Sequence, residues 1–414
     1  MVAVAAAAVI DALCLMKILQ SILFLLLSGA LHAQTPLPQP SMPKPAPTPV
    51  VVPDPPTLPV KSAILIEYAS GQVIAEQAAD ERVEPASITK VMAAYVLFHE
   101  LRAGRLKLDD KVRISENAWK GGLGGSRMFI NVNSEVAAKD LLLGMIVQSG
   151  NDATIALAEH LAGTEAGFVQ QMNAHAQRIG MKNSNFTNSP GLPGPEHYST
   201  ARDIALLSRT MIAEFPEYYA WYATPEYTFN GIRQYNRNAL LRRDESVDGI
   251  KTGHTASAGY CLASSALRGE MRLIAVVMGS KSEETRAQES QALLNYGFRF
   301  YETHKLYSKG QALAQPKLWK GEVESVELGV AEDVLILIPK GKYDQLQARM
   351  NLPSLLIAPV AAGQSVGKVQ VSLDKKVLVD QPLVAIADAP EGGLWRRMVD
   401  GFWLWFEDDE EPAR

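Results

Sequence analysis

Apolar and polar positions along the chain fall into blocks of different period. From residue 63, AILIEYASGQVIAEQ holds two short strand-like runs around Ser70 and Gly71, the pattern of a hairpin. From Ile88 to about Ile212 the apolar residues recur with helical spacing. Strand character returns in EYTFNGIRQYNR, GYCLASSAL and MRLIAVVMGS, and the helix-forming run EETRAQESQALLNYGFRFYE follows. Strands at both ends with helices between them predict an antiparallel sheet whose first and last strands meet. Past residue 305, VLILIP and GKVQVSLDKKVLVDQPLVAIA, the latter alternating around Asp374 and Lys375, predict strands and a hairpin of a small β domain. The expected fold class is α+β: an antiparallel sheet flanked by helices, then a small all-β domain, then a C-terminal amphipathic helix.

The two ends of the chain carry different signals. From Met16 the text MKILQSILFLLLSGALHAQ has one lysine, a short apolar core and then small residues, the layout of a secretory signal peptide. We expect residues 1–33 to be that signal, with Met16 as the start, because the preceding stretch holds Asp11 and no basic residue. Cleavage after Ala33 is preferred to cleavage after Ala30, since polar linker begins there. A single membrane anchor over residues 2–27 fits less well, because Asp11 and Lys17 interrupt it. Residues 34–59 are proline-rich and read as an extended, semi-rigid spacer.

At the other end, GGLWRRMVDGFWLWFEDDEE projects as a helix with Leu394, Trp395, Met398, Val399, Phe402, Trp403, Trp405 and Phe406 on one face, and Arg396, Arg397 and Asp400 opposite. At roughly 1.5 Å per residue the apolar stretch is about 20 Å long, too short for a hydrocarbon core of roughly 30 Å. It is expected to lie in a membrane interface with its arginines toward anionic lipid. The expected boundaries are a catalytic domain at 60–304, a β domain at 305–390, the helix at 391–406 and an acidic tail at 407–414.

Charge and cysteine content narrow the partners. The net charge of -5 matches the five acids Glu407, Asp408, Asp409, Glu410 and Glu411, so the body is close to neutral and offers no basic face to nucleic acid. Cys14 falls in the expected signal, which leaves Cys261 alone in an apolar run and allows no internal disulfide. A buried, inert thiol is the expectation for Cys261. The seven histidines show no metal-ligand spacing, and neither a metal nor another cofactor is expected.

Three short polar motifs carry the candidate chemistry. EPASITK places Ser87 and Lys90 three apart ahead of the apolar run VMAAYVLFHEL. Alone, the pair reads as a helix cap and its first turn. Downstream, QSGND contains Ser149 and Asn151, and DGIKTGHT contains Lys251, Thr252, Gly253 and His254. Each is weak by itself, but their joint occurrence in this order is a strong signal for a serine nucleophile with a lysine base.

Here the chain resembles the serine penicillin-recognising enzymes, and among them the low-molecular-mass penicillin-binding proteins that act as D-Ala-D-Ala carboxypeptidases. The resemblance extends through AILIEYASGQVIAEQAADERVEPASITK, LLLGMIVQSGNDA, FNGIRQYNRN and VDGIKTGHT, and covers roughly residues 60 to 405. It implies a β-lactamase/DD-peptidase-like fold for the first domain. The proline spacer and the acidic tail depart from that pattern.

The chemistry explains why such residues are needed. A hydroxyl is a poor nucleophile until a base takes its proton, and a lysine of free pKa near about 10.4 is no base until that value falls. Burial and a second ammonium lower it, and Lys251 is expected to supply the second charge and hold Lys90 neutral. The resemblance implies that Ser149 relays the proton with Lys251 orienting it, that Asn151 holds the substrate backbone, and that the backbone N–H groups of Ser87 and His254 form the oxyanion hole. It also implies that Lys251, Thr252, Gly253, Thr255, Arg286 and Arg237 bind a substrate that ends in a carboxylate.

The expected reaction is removal of the terminal D-alanine from peptidoglycan stem pentapeptides through an acyl-enzyme on Ser87. Penicillin would be an inhibitor acylating the same serine, and the enzyme would work on the outer face of the cytoplasmic membrane. The alternatives are a class A-like β-lactamase, an endopeptidase on cross-linked peptides, or a non-catalytic envelope protein. The first needs a glutamate, and the available Glu226 and Asn230 lie in the strand-like EYTFN. Of the remaining features, Thr200 and Asp203 read as a helix capping box, and residues 121–125, GGLGG, as a mobile flap beside the site. The sequon at Asn185 is expected to be without meaning.

Overall fold

The computed structural model describes residues 51–407. The expected signal, Cys14, most of the proline spacer and nearly all of the acidic tail lie outside the described residues.

Strands β1 (Ser62–Glu67) and β2 (Val73–Gln77) form the expected antiparallel hairpin. Gly71, at φ +71°, makes a turn that a side chain would strain. Helix α1 (Thr89–Arg102) follows, and Val91, Met92, Ala93, Ala94, Tyr95, Val96, Leu97 and Phe98 are all fully buried. A helix that is apolar all round runs through a core instead of lying on it. Around it are α2 (Ala138–Leu143), α3 (Asn151–Ala162), α4 (Glu165–Ile179) and α5 (Ala201–Glu214). A separate hairpin, β3 (Glu226–Phe229) with β4 (Ile232–Tyr235), precedes the long strands β5 (Val247–Thr255), β6 (Gly259–Arg268) and β7 (Met271–Ser280) and helix α6 (Glu283–Phe300).

The main sheet has the order β2-β1-β7-β6-β5, with every neighbouring pair antiparallel, and the first strand does meet the last. Ala63 faces Val277 and Leu65 faces Ala275 in the β1–β7 register. Alternate residues go to opposite cores. Ile64, Ile66, Ile274, Val276 and Met278 join the helical cluster, whereas Ala63, Leu65, Leu273, Ala275 and Val277 pack with Leu293 and Leu294 of α6. Burial on both faces is why these strands read as continuous apolar runs.

Two local expectations need correction. Thr200 caps α5 by accepting from Asp203 N at 3.1 Å, but the Asp203 carboxylate turns away to Asn183 N at 2.9 Å and Ser184 Oγ at 2.7 Å, so the box is half formed. The full box stands at Ser282 and Thr285, ahead of α6. The end of the proline segment is also packed and is not free spacer: Tyr296 Oη donates to Pro53 O at 2.8 Å, and Gln77 exchanges hydrogen bonds with the backbone of the buried Leu58. Prolines supply carbonyl acceptors without N–H groups that need partners, so such a segment docks wherever donors are free. Cys261 is fully buried, and burial pushes its thiol up to about 11, as an inert residue requires.

Strand β8 (Tyr301–Tyr307) starts directly after α6 and pairs with β10 (Val334–Pro339). With β9 (Leu328–Gly329), β11 (Gln347–Asn351), β12 (Ser365–Leu373) and β13 (Lys376–Ala385) in the sheet order β9-β13-β12-β11, the second region is all β around its own core of Ile336, Ile338, Val369, Val371 and Leu383. The β12–β13 turn falls at Asp374 and Lys375, both with positive φ, the geometry of a tight two-residue hairpin.

Helix α7 (Leu394–Glu407) exposes its apolar side, with Trp395 at 78% and Trp405 at 72%. Its polar side meets the protein: Asp400 Oδ2 accepts from Lys320 N at 2.6 Å, and Arg397 pairs with Glu391 at 2.9 Å. Arg396 reaches Glu322 O at 3.4 Å, so both arginines turn toward the chain's own acceptors and not outward as expected. No helix among the described residues is long and apolar enough to cross a membrane.

Candidate active site

Ser87 sits in a single 3₁₀ turn, Ala86–Ile88, and α1 begins only at Thr89. No side chain caps either start, so Ser87 is not the helix cap that the local sequence suggests. The preceding Ala86 has φ +48°, a left-handed conformation that costs a non-glycine residue roughly 1–3 kcal/mol and persists only where the surroundings over-determine it. The surroundings are two glycine backbones. A Cβ added at Gly191 would lie 1.9 Å from Ala86 O, and one at Gly253 would lie 2.8 Å from Pro85 O and 3.2 Å from Ser87 N. The glycine of the Lys-Thr-Gly strand is thus required by the approach of β5 to the serine turn.

Lys90 is almost wholly buried. Its Nζ lies 2.7 Å from Asn151 Oδ1, 2.7 Å from Pro190 O and 3.1 Å from Ser87 Oγ. Two of these partners are carbonyl oxygens and can only accept. A neutral amine has two N–H bonds, which those carbonyls take, and its lone pair is left facing the Ser87 hydroxyl. Burial, opposed by Asp152 and assisted by the Arg237 charge, lowers Lys90 to about 7. Burial and then the charges of Lys90, Arg237 and Arg286 hold Lys251 well below the usual lysine range. Desolvation is the leading cause at both lysines, with the Arg237 charge lowering both, and the repulsion between Lys90 and Lys251 acts on the pair.

Ser149 is a second strained residue, φ +66°, between the turn Gly144–Gln148 and α3. Its Oγ is buried and makes no hydrogen bond within the described residues. Lys251 Nζ donates to Thr252 O at 3.2 Å and does not hold the Ser149 hydroxyl, contrary to expectation. Asn151 Oδ1 is committed to Lys90, which leaves only its Nδ2, beside Gly125, for a substrate carbonyl.

These groups border one cavity of about 630 Å³. Its lining includes Ser87, Ser149, Asn151, Thr252, Gly253, His254, Thr255, Arg237 and Arg286, while Lys90 and Lys251 lie behind it. Gly124 and Gly125 border it as well, which puts part of the GGLGG stretch beside the site. A larger open hollow of about 800 Å³ around Arg243, Asp244 and Gln291 holds no nucleophile. Arg286 is 3% exposed and no surface arginine: its Nη2 donates to Glu283 Oε1 at 3.0 Å, and its Nε is unpartnered among the described residues. Thr255 Oγ1 accepts from Ala258 N at 2.9 Å and donates to Glu84 Oε2 at 3.3 Å. The His254 ring leans on Tyr260 at 4.0 Å, and both residues border the cavity.

Sequence reasoning missed Pro190, Gly191, Tyr260 and Asp152. The first two had a visible signal in SPGLPGP, a stretch that can be neither helix nor strand. Glu226, the candidate for a β-lactamase base, is on the exposed β3–β4 hairpin and paired with Arg233, away from the cavity lining. Asp152 is the buried carboxylate behind the site. Burial raises its pKa, and it accepts from Met128 N at 3.0 Å and Ala153 N at 2.9 Å. No cluster that could hold a metal ion occurs among the described residues.

A two-faced antiparallel sheet with a serine–lysine pair facing a Lys-Thr-Gly strand defines a penicillin-recognising serine hydrolase. Residues 50–282 match the D-alanyl-D-alanine carboxypeptidase family, and residues 301–391 match the penicillin-binding protein 5 C-terminal domain. The D-alanyl-D-alanine carboxypeptidase DacC of Escherichia coli is 42% identical over 361 residues, 85% of this chain and 90% of that protein. The crystal structures of penicillin binding protein 5 from Haemophilus influenzae include one with TM-score 0.79 and 42% identity, covering 82% of this chain and 100% of that one. Penicillin-binding protein D2 from Listeria monocytogenes, in its ampicillin-bound form, has TM-score 0.55 and 29% identity over 59% of this chain and 100% of that one. The chain belongs to the D-alanyl-D-alanine carboxypeptidase family and has that hydrolase activity. The β-lactamase and endopeptidase alternatives are not favoured.

Two outcomes test this geometry. A base of pKa about 7 is neutral above that pH and protonated below it, so kcat/KM for D-alanine release should fall about tenfold per pH unit on the acid side of 7. A profile flat from pH 8 to 5 contradicts the assignment. Gly253→Ala must push β5 off the Ser87 turn, and penicillin acylation should slow by on the order of 100-fold with the fold retained by circular dichroism.

Proposed function

We propose that Ser87 is the nucleophile and Lys90 the general base of a D-Ala-D-Ala carboxypeptidase acting on peptidoglycan stem pentapeptides. Ser87 Oγ bonds to the penultimate D-alanine carbonyl carbon while its proton passes to the neutral Lys90 amine. The oxyanion rests on the backbone N–H groups of Ser87 and His254. Ser149 then relays the proton to the leaving nitrogen, the C–N bond breaks and D-alanine departs. Water completes the cycle by hydrolysing the ester.

Lys251, Thr252, Gly253, Thr255, Arg237 and Arg286 form the pocket for the terminal carboxylate, and Asn151 Nδ2 holds a substrate carbonyl. The single observation that carries this reading is the buried Lys90 amine, 3.1 Å from Ser87 Oγ and tied to two carbonyls, so that its neutral form turns its lone pair to Ser87. The cationic wall of the cavity fits a substrate ending in a carboxylate, and a β-lactam carries a carboxylate to the same place.

Residues 391–406 serve as an interfacial anchor at the outer face of the cytoplasmic membrane, because α7 leaves four bulky apolar side chains, Leu394, Trp395, Met398 and Trp405, more than two-thirds exposed. The catalytic region is one domain at 60–304, and the β region at 305–390 is its spacer.

Ser87→Ala should abolish both D-alanine release and labelling by a fluorescent penicillin, and retention of either overturns the nucleophile. A chain truncated after Glu391 should keep its activity but lose sedimentation with phosphatidylglycerol vesicles. Unchanged sedimentation removes the anchor.

A further inference from the structure

The segment 188–192 touches both halves of the serine–lysine pair. Pro190 O takes one N–H of the Lys90 amine at 2.7 Å, and Gly191, at φ +86°, lies so close to Ala86 O that no Cβ fits. A loop with no helix or strand pairing of its own needs other ties to hold a carbonyl to that tolerance. Within the loop, Asn188 Oδ1 accepts from Gly191 N and Leu192 N, both at 2.8 Å, and its Nδ2 donates to Leu192 O at 3.0 Å. These bonds fix the shape of the loop and leave open where it sits.

One charged group fixes its place. Glu165, in the first turn of α4, accepts from Ser189 N at 2.9 Å and from Ser189 Oγ at 2.8 Å, both on the same oxygen, Oε1. Ser189 is fully buried and adjoins Pro190 in sequence. Downstream, the buried His197 ties the far end of the segment to α1: Thr187 N donates to its Nδ1 at 3.1 Å, so the neutral ring carries its proton on Nε2 and donates to Thr89 Oγ1 at 2.9 Å.

We infer that Glu165 is a positioning residue for the general base, clamping Ser189 so that the Pro190 carbonyl holds the Lys90 amine with its lone pair on Ser87. This rests on the reading of Lys90 as the base. Glu165 touches neither substrate nor the reacting atoms. Its effect passes through two backbone steps, and what it controls is the direction of a lone pair. Pro190 and Gly191 also border the cavity, but the carboxylate is held from β5, Arg237 and Arg286, so losing the clamp slows proton removal without weakening the encounter with substrate.

Stopped-flow acylation by a fluorescent penicillin separates the two quantities. With the full-length protein, Glu165→Ala should lower the acylation rate constant roughly 10- to 100-fold while the Kd of the preacylation complex stays unchanged. Glu165→Gln keeps an amide oxygen for both Ser189 donors and should acylate within about 3-fold of wild type. A wild-type rate for Glu165→Ala overturns the inference. So does a Gln variant as slow as Ala, which would make the charge and not the clamp responsible, and so does a loss confined to Kd. If Glu165→Ala does not fold, Ser189→Ala removes only the Oγ tie and should slow acylation by several-fold, with a wild-type rate again overturning the proposal. Lys90→Ala run alongside separates the failures: normal labelling by it defeats the reading of the base, whatever Glu165 does.

Discussion

A primary amine held in the interior of the protein is the constraint on which the site depends. Water would keep Lys90 protonated, and chiefly its exclusion brings the amine to about 7. Exclusion requires that α1 be covered on every side, and it is, by the sheet on one flank and by α3, α4 and α5 on the others. It also requires acceptors for the two N–H bonds, because a buried donor without a partner costs about 1–3 kcal/mol. One comes from the side chain of Asn151 and the other from the main chain at Pro190. The core of the protein and the basicity of its catalyst are therefore one packing problem.

Two of the strained backbone positions adjoin the site. Ala86 and Ser149, neighbours of the nucleophile and of the buried helix start, both hold left-handed backbone without the excuse of being glycine. Glycines appear opposite the Ala86 turn, at positions 191 and 253, where main chain passes against main chain. Tight backbone packing is what holds the short 3₁₀ turn that carries Ser87 in place ahead of α1.

Most of the scaffold was legible in the sequence because its signals are periodic. Strands buried on both faces read as unbroken apolar runs, the β12–β13 hairpin announced itself at Asp374 and Lys375, and the meeting of first and last strands followed from their order. The three polar motifs come together around one cavity, and each was visible because it demands particular side chains. The SPGLPGP stretch marked a loop, but the role of Pro190 escaped because a carbonyl is common to every residue and leaves no mark of its own. Arg286 could not be told from a surface arginine, since its burial follows from how α6 lies against the sheet and not from its own neighbours. The Arg237 charge beside both lysines was not foreseen, for charge effects depend on distance through the fold and not on motif membership. The arginines of α7 fell to acceptors such as Glu391 and Glu322 O, which a helical projection of one segment cannot contain.

The central sheet also dictates an order of events in the life of the chain. β1 finds its second partner only in β7, with Ala63 opposite Val277, so the pairing spans more than 200 residues. Until the last of these has been made, one long edge of β1 stands open and only the local β1–β2 hairpin can form. Such a separation places closure of the sheet late and makes the region fold as a single cooperative event, slow by the standards of local topologies. A chain interrupted between α1 and β7 retains Ser87 and Lys90 but has an unpaired strand, a template for aggregation and not for catalysis.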